Sequence, residues 1–266
     1  MKLLHLALAL LVLLPVAAIA QEEVGSIATD RPVQSETPTV VPKKHLQFEE
    51  GVLFEQGIES FKIRTDQLNY NLLIKYGIVK NLELRYNVDY INQETKVIDS
   101  DPEMSQVLGG LAGPNIGLKY SFLKDDGESW KPNLTISVHS QFDWYGREEY
   151  VPENGNANFR LTAGKNITDS WYVIGGLGTN FEDGNKEATG QYYVAQTGYS
   201  FGDLTALIEL YGIRNYDIDV NQNALNGALG YLINDNNQID LSGGMGLNDT
   251  WYDYYIAVGY SMRLGF

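Results

Sequence analysis

Cysteine is absent from the 266 residues, histidine occurs only three times, and lysine plus arginine number 19 against 34 acidic residues. Without cysteine there is no disulfide framework and no thiol to carry a lipid anchor. His45 and His139 are isolated and His5 lies in the leader, so no histidine pair has metal-ligand spacing. The formal charge of -15, with no basic cluster, excludes nucleic acid and anionic lipid as electrostatic partners. Beyond residue 20 no run approaches the ~20 apolar residues of a membrane helix, so any membrane crossing must be made by strands.

The first twenty residues read as a secretory signal: Lys2 as the positive region, an apolar Leu3 to Val16, and Ala18-Ile19-Ala20 before Gln21. The alternative of an N-terminal anchor lacks a charged stop-transfer flank. Cleavage after Ala20 leaves 246 residues and takes the charge from -15 to -16, since Lys2 is lost. Tyrosine (18) and glycine (27) are abundant, as turns, lumen linings and membrane-interface anchors require.

From residue 46 the period is two. Leu68, Tyr70, Leu72, Ile74 and Tyr76 alternate with Gln67, Asn69, Asn71 and Lys75, Leu73 being the exception. After a turn at 77–81, Leu82, Leu84, Tyr86, Val88 and Tyr90 alternate with Glu83, Arg85, Asn87 and Asp89, which makes a hairpin. Ile116 to Phe122 and Leu134 to Phe142 continue the pattern. Weaker segments at about 158–165, 171–181, 190–200, 204–213, 223–233 and 238–247, together with 46–57 and 253–266, bring the count to twelve. Inner turns at 77–81, 123–131, 166–170, 201–203 and 234–237 are mostly short. Outer connections at 58–66, 92–109, 144–157, 182–189, 214–222 and 248–252 are generally longer. The pattern predicts an all-β, up-and-down transmembrane barrel of about 12 antiparallel strands, with short periplasmic turns and longer outer loops.

At the C-terminus Tyr254, Ile256, Val258, Tyr260, Met262, Leu264 and Phe266 form one apolar row. Tyr260 and terminal Phe266 resemble the signal that outer-membrane proteins show to the barrel-assembly machinery. A secreted β-sandwich also alternates, but its strands are shorter, about 5–6 residues, and lack tyrosine at the ends of the apolar rows. The division expected is 1–20 signal, 21–45 a periplasmic N-terminal segment able to plug the barrel, and 46–266 the barrel in an outer membrane, which places the source among Gram-negative bacteria.

Residues 21–45 have no period. They contain Thr29-Asp30-Arg31-Pro32, then Glu36, Pro38 and Pro42, leading into Gln47-Phe48-Glu49-Glu50-Gly51. This opening resembles that of the outer-membrane family named for the MetA pathway of phenol degradation, with departures at Val33 and Lys44. The resemblance implies a channel or transporter-like barrel and carries over no catalytic residue.

Several residues invite chemical readings. Ser137 and His139 share a face, with Asp143 as a conceivable third member of a lipid-hydrolase triad; the order is Ser-x-His, and the face is the lumen, where bilayer lipid does not reach. Asp217, Asp219 and Asn221 fail the Ca²⁺-loop pattern at Gln222. Gly175-Gly176-Leu177-Gly178 lies mid-strand with no helix after it, so it is no nucleotide loop. The expectation is of no catalytic site, metal or cofactor. The lumen set is Lys75, Glu83, Arg85, Asp89, Lys119, His139, Asp143, Arg160 and Arg263, with Lys75 paired to Glu83 and Asp89, and Arg31 meeting lumen carboxylates. The partners expected are membrane lipid, the assembly machinery and a small solute of unidentified class, hydrophobic and aromatic compounds included. The function expected is passive transport, with a non-conducting barrel presenting its outer loops as the alternative and a lipid hydrolase as a remote one. An outward apolar row suits lipid and a neighbouring barrel equally, so oligomeric state stays open.

Overall fold

The computed structural model describes residues 24–59, 62–99, 104–142, 145–152, 155–182, 189–215, 219–248 and 252–266. The signal segment 1–20, Asp143 and Asp217 lie outside them. Thirteen strands follow in order: β1 (His45–Glu59), β2 (Ile63–Val79), β3 (Leu82–Val97), β4 (Met104–Leu111), β5 (Asn115–Leu123), β6 (Asn133–Gln141), β7 (Asn156–Asn166), β8 (Trp171–Glu182), β9 (Gly190–Phe201), β10 (Leu204–Asn215), β11 (Val220–Asn234), β12 (Asn237–Gly246) and β13 (Tyr254–Gly265). Among the described residues one 3₁₀ turn, Glu148–Tyr150, lies between β6 and β7.

Consecutive strands pair antiparallel except β4 and β5, and β1 pairs with β13 from His45↔Gly265 to Gln56↔Tyr254, so the sheet closes. Closure removes the unpaired edges that a membrane cannot satisfy. Strands β4 and β5 occupy one place in the wall. Both pair with β3, β4 through Tyr90↔Leu111 and β5 through Asn87↔Asn115, so the barrel has twelve positions. Between them Ala112-Gly113-Pro114 faces only Val88 and Asp89. Proline, which has no N–H to give a ladder, sits at this bulge.

The chain termini share one end, taken as periplasmic. There the two-residue connections 80–81 and 202–203 turn through a left-handed Asn81 (φ 71°) and Gly202 (φ 69°). At the other end the expected loop over 92–109 is instead a hairpin: β3 runs to Val97 and β4 begins at Met104, in register to the tip. Asn92, Gln93, Glu94 and Thr95 are polar on both faces, so this part of the wall, standing clear of an apolar phase, has no period-two hydrophobic signal. Among the described residues the far side of β4 has no strand partner. It is covered by the 145–152 segment, where Arg147 N–H donates to Leu111 O (2.8 Å), Arg147 Nη1 to Gly109 O (2.9 Å) and the Tyr150 hydroxyl to Leu108 O (3.1 Å).

The two faces sort by parity. Outward positions keep large apolar side chains exposed, among them Leu177, Ile208, Leu241, Ile256 and Val258. Inward positions bury polar ones: Gln47, Glu49, Lys75, Glu83, Lys119 and Glu209 are each at most 1% exposed. This inversion of the usual core is what a barrel in lipid requires. Val258 lies mid-strand between Val52 and Leu241, so Val258→Pro, by deleting a ladder N–H at the closing seam, should abolish the mobility difference between unheated and boiled protein on a detergent gel. An unchanged shift would contradict the seam.

Candidate functional site

The barrel interior is not empty. Residues 24–44 enter at the periplasmic end and cross the lumen in irregular conformation, touching the wall from β1 round to β13. An irregular chain carries backbone N–H groups that no ladder satisfies, and each must find an acceptor. Three inward glutamates supply them. Glu49 Oε2 accepts from Asp30 N–H (2.9 Å) and Arg31 N–H (3.0 Å); Glu83 Oε2 accepts from Val41 N–H (2.7 Å); Glu209 accepts from Gln34 N–H (2.9 Å) and Ser35 N–H (2.8 Å). Wall donors complete the seating: Gln47 Nε2 to Ala28 O (2.9 Å), Tyr192 hydroxyl to Gln34 O (2.9 Å), Gln238 Nε2 to Thr29 Oγ1 (2.8 Å) and Arg263 Nη2 to Gly25 O (2.6 Å).

Beside these contacts lies a buried charge cluster. Asp30 meets Arg85 Nη2 (2.5 Å), Lys75 Nζ (3.5 Å) and Lys119 Nζ (3.6 Å), and Lys75 also pairs with Glu49. Glu36 reaches Lys119 (3.6 Å) and Arg85 (4.0 Å), while Arg85 Nη1 donates to Glu83 (2.9 Å). Four carboxylates thus face three cations and His139, which keeps the net charge of the dry cluster small. Burial alone would push the carboxyls of Asp30 and Glu36 up. The surrounding cations outweigh it: Arg85, Lys119 and Lys75, helped by Thr37 N–H, hold Asp30 well below the usual carboxylate range, and Arg85, His139 and Lys119 hold Glu36 down to about 2.

Lys75 stands opposite Arg85 on β3, and the carboxylates within ion-pair distance are Glu49 of β1 and Asp30 of the N-terminal segment, with Glu83 acting from further off. The expected pairing of Lys75 with Glu83 and Asp89 is therefore corrected. Asp89 accepts instead from Asn71 (2.5 Å) and Asn87 (3.2 Å). Arg31 forks onto Asp240 (3.3 and 3.4 Å) and donates to Val258 O (3.2 Å). Its guanidinium lies flat on Gly51 and Gly259, cross-strand partners at which any Cβ would overlap it. Pro38 packs on Gly164, and Pro42 O lies over Gly77 in the same way. Arg160 donates to Asn180 (2.8 Å) and lies 4.0 Å over the Tyr192 ring.

Ser137 and His139 share the inner face but not the arrangement of a nucleophile and its base. The Ser137 hydroxyl donates to Glu36 Oε1 (3.0 Å), and His139 Nδ1 lies 3.8 Å from that same oxygen. Both hold the N-terminal segment. Tyr260 and Phe266 point outward, the Tyr260 hydroxyl onto Asn237 (2.5 Å), with Phe266 N–H bonded to Lys44 O (3.1 Å). Glu49, Glu209, Gln196 and Asp240 also seat the segment and are absent from the lumen set expected from the sequence. Glu49 had a signal, the inward Gln47-x-Glu49-x-Gly51 spacing. The other three lie in weakly alternating segments where nothing local marks them.

Outward of the segment the lumen is lined on one side by a packed group of Tyr192, Tyr211, Tyr252 and Tyr255 with Val194, Leu53 and Ile213. Toward β7–β11 the segment leaves a cavity of about 300 Å³ bordered by Tyr172, Ile174, Gln196 and Leu207.

A closed twelve-position antiparallel barrel, apolar outside and polar inside, with its own N-terminal segment seated in the lumen, is the fold of an outer-membrane protein. The chain belongs to the family described as "Putative MetA-pathway of phenol degradation", whose profile matches residues 29–264. Among solved structures it is similar to the COG4313 outer membrane channel from Pseudomonas putida F1 (TM-score 0.67, 9% identity, 88% of this chain and 100% of that one). It is also similar to the KdgM porin (0.52, 15%, 82% and 98%) and to the beta domain of the Bordetella autotransporter BrkA (0.53, 9%, 84% and 100%). No curated protein matches in sequence.

Replacing Arg85 by Met leaves Asp30, Glu36 and Glu83 in the cluster short of a cation. Breaking a buried pair costs about 3–5 kcal/mol, so the segment should detach far more often while the wall stays closed. With Ser35→Cys as a buried reporter, thiol labelling should accelerate by at least two orders of magnitude and heat-modifiable mobility should persist. Unchanged labelling would show that the cluster does not hold the segment.

Proposed function

We propose that the protein is a passive channel for small solutes across an outer membrane, and that residues 24–44 set whether and how widely it opens. The observation that carries this reading is the seating of the segment's backbone on Glu49, Glu83 and Glu209, inward residues of three separate strands, which puts the segment in the path of any solute crossing the periplasmic half of the lumen. Above it the lumen carries the tyrosine group with Arg160 against Tyr192 and, on β2 and β3, the amides of Asn71 and Asn87 around Asp89. That combination of rings, amides and a few charges of both signs suits small solutes with an aromatic or otherwise hydrophobic part and gives no strong preference between anions and cations. The names of the similar channel and porin folds agree with a conduit.

The second reading is a barrel that does not conduct and presents its outer surface for binding. The tall β3–β4 hairpin, buttressed by Arg147 and Tyr150, favours it. Planar-bilayer recording separates the two. Deleting residues 24–44 should raise single-channel conductance several-fold over the full chain, and a deletion that stays silent would reject the channel.

Acid should act in the same direction. The carboxyls of Asp30 and Glu36 are held below their ordinary values of 3.8 and 4.5, Glu36 at about 2. Their contribution to holding the segment is therefore complete above about pH 4.5 and is lost as the pH falls from there toward 2. Conductance of the full chain should rise reversibly as the pH falls from about 4.5 toward 2, while the deletion variant shows no such step. A fall, or an equal step in both, would contradict the anchoring role of these two groups.

A further inference from the structure

The outward face carries its charged residues at the ends of strands: Arg64, Asp66, Glu94, Lys96 and Arg214 toward the outer side and Lys165 at the periplasmic end. Among the described residues Glu50 alone breaks this rule. It is exposed and outward on β1, opposite Leu72 on β2 and Tyr260 on β13. Along β1 the outward positions remain apolar through Phe48 to Leu46 one way and through Val52 to Phe54 the other. On β13 three apolar or tyrosine positions continue on each side. Four residues of a tilted strand span about 10 Å of depth, so Glu50 lies near the middle of the apolar band, beyond the reach of lipid headgroups.

No hydrogen bond or ion pair to Glu50 occurs among the described residues. Arg31 lies behind the same wall, against Gly51 and Gly259, but its charge is committed to Asp240. A carboxylate facing hydrocarbon without a partner is expensive, and such positions are kept where they bind something. Glu50 also sits in a relief of the wall: a groove of about 480 Å³, bordered by Glu50, Tyr70, Leu72, Val88, Tyr90 and Val258. The rings of Tyr70 and Tyr90 are 6.2 Å apart along one side of it, both partly exposed.

The occupant that fits must reach mid-bilayer, present hydrocarbon to the groove and bring a cation to the carboxylate. A second copy of this chain cannot, because its outward lysines and arginines are all at strand ends. We propose that the groove binds, from within the bilayer, a single-chain amphiphile with a primary ammonium head. The ammonium would donate to Glu50, and the adjoining methylenes, polarised by the charge, would lie against the electron-rich faces of Tyr70 and Tyr90. The proposal needs only a barrel in a membrane and stands whether or not the lumen conducts.

Native mass spectrometry of the full-length barrel, exposed to equal concentrations of dodecylammonium and dodecanol, tests it. The wild type should retain one dodecylammonium with at least about a tenfold preference, the scale of one charge-assisted hydrogen bond in a dry site. Glu50→Gln should bring the two ligands to near parity with heat-modifiable mobility intact. Glu50→Leu, which completes the apolar row, should do the same and serves if the amide variant does not assemble. Equal retention by the wild type, a preference that survives both substitutions, or a dimer that Glu50→Gln dissolves in place of ligand binding would each overturn the proposal.

Discussion

The structure turns on an obligation of the peptide group: a backbone N–H taken out of water needs an acceptor. In the wall the ladder meets that need. Residues 24–44, which pass through the barrel without forming a strand of it, have no ladder, and Glu49, Glu83 and Glu209 stand in for one from three separate strands. Each carboxylate brings a negative charge into the interior. Asp30 and Glu36 add two more from the segment itself, so Lys75, Arg85 and Lys119 must be there as well. The polar interior follows from having a chain inside the barrel as much as from having water there.

That arrangement sorts the two faces of the wall more strictly than a water-filled pore would. Inward positions near the segment are shaped to it: Gly51 and Gly259 are small because a guanidinium occupies the space where their side chains would project. Toward the outside the lumen residues answer more to one another: Asn71, Asn87 and Asp89 share hydrogen bonds, and Arg160 rests on Tyr192, whose hydroxyl still reaches the segment at Gln34. Ser137 and His139, which invite comparison with a hydrolytic pair, belong to the first region and are oriented by Glu36.

Much of the wall was legible because period two over ten residues, with aromatic ends, suits a lipid-facing strand and little else. The twelve wall positions and the inward identity of Lys75, Glu83, Arg85 and Lys119 could be read from alternation alone. What alternation cannot supply is pairing across the lumen. Lys75 stands near Glu83 and Asp89 in a hairpin drawn flat, yet in the closed barrel its acids come from β1 and from Asp30, 45 residues away in the chain. The β3–β4 hairpin was illegible for a different reason: polar on both faces, it answers to its ladder and not to a solvent boundary. The Ala112-Gly113-Pro114 bulge likewise splits a strand whose two halves the sequence shows as one segment and one loop.

The contacts of the N-terminal segment also impose an order in time. Its partners lie on β1, β2 and β3 and equally on β9, β10, β12 and β13, so its binding surface does not exist until the last strand has met the first. The segment leaves the ribosome ahead of every strand, yet its full set of partners is present only after the last of them. Until then much of its backbone has no acceptor in the wall, and a stretch with three prolines and three threonines among residues 24–44 is suited to that wait, since proline resists both helix and ladder.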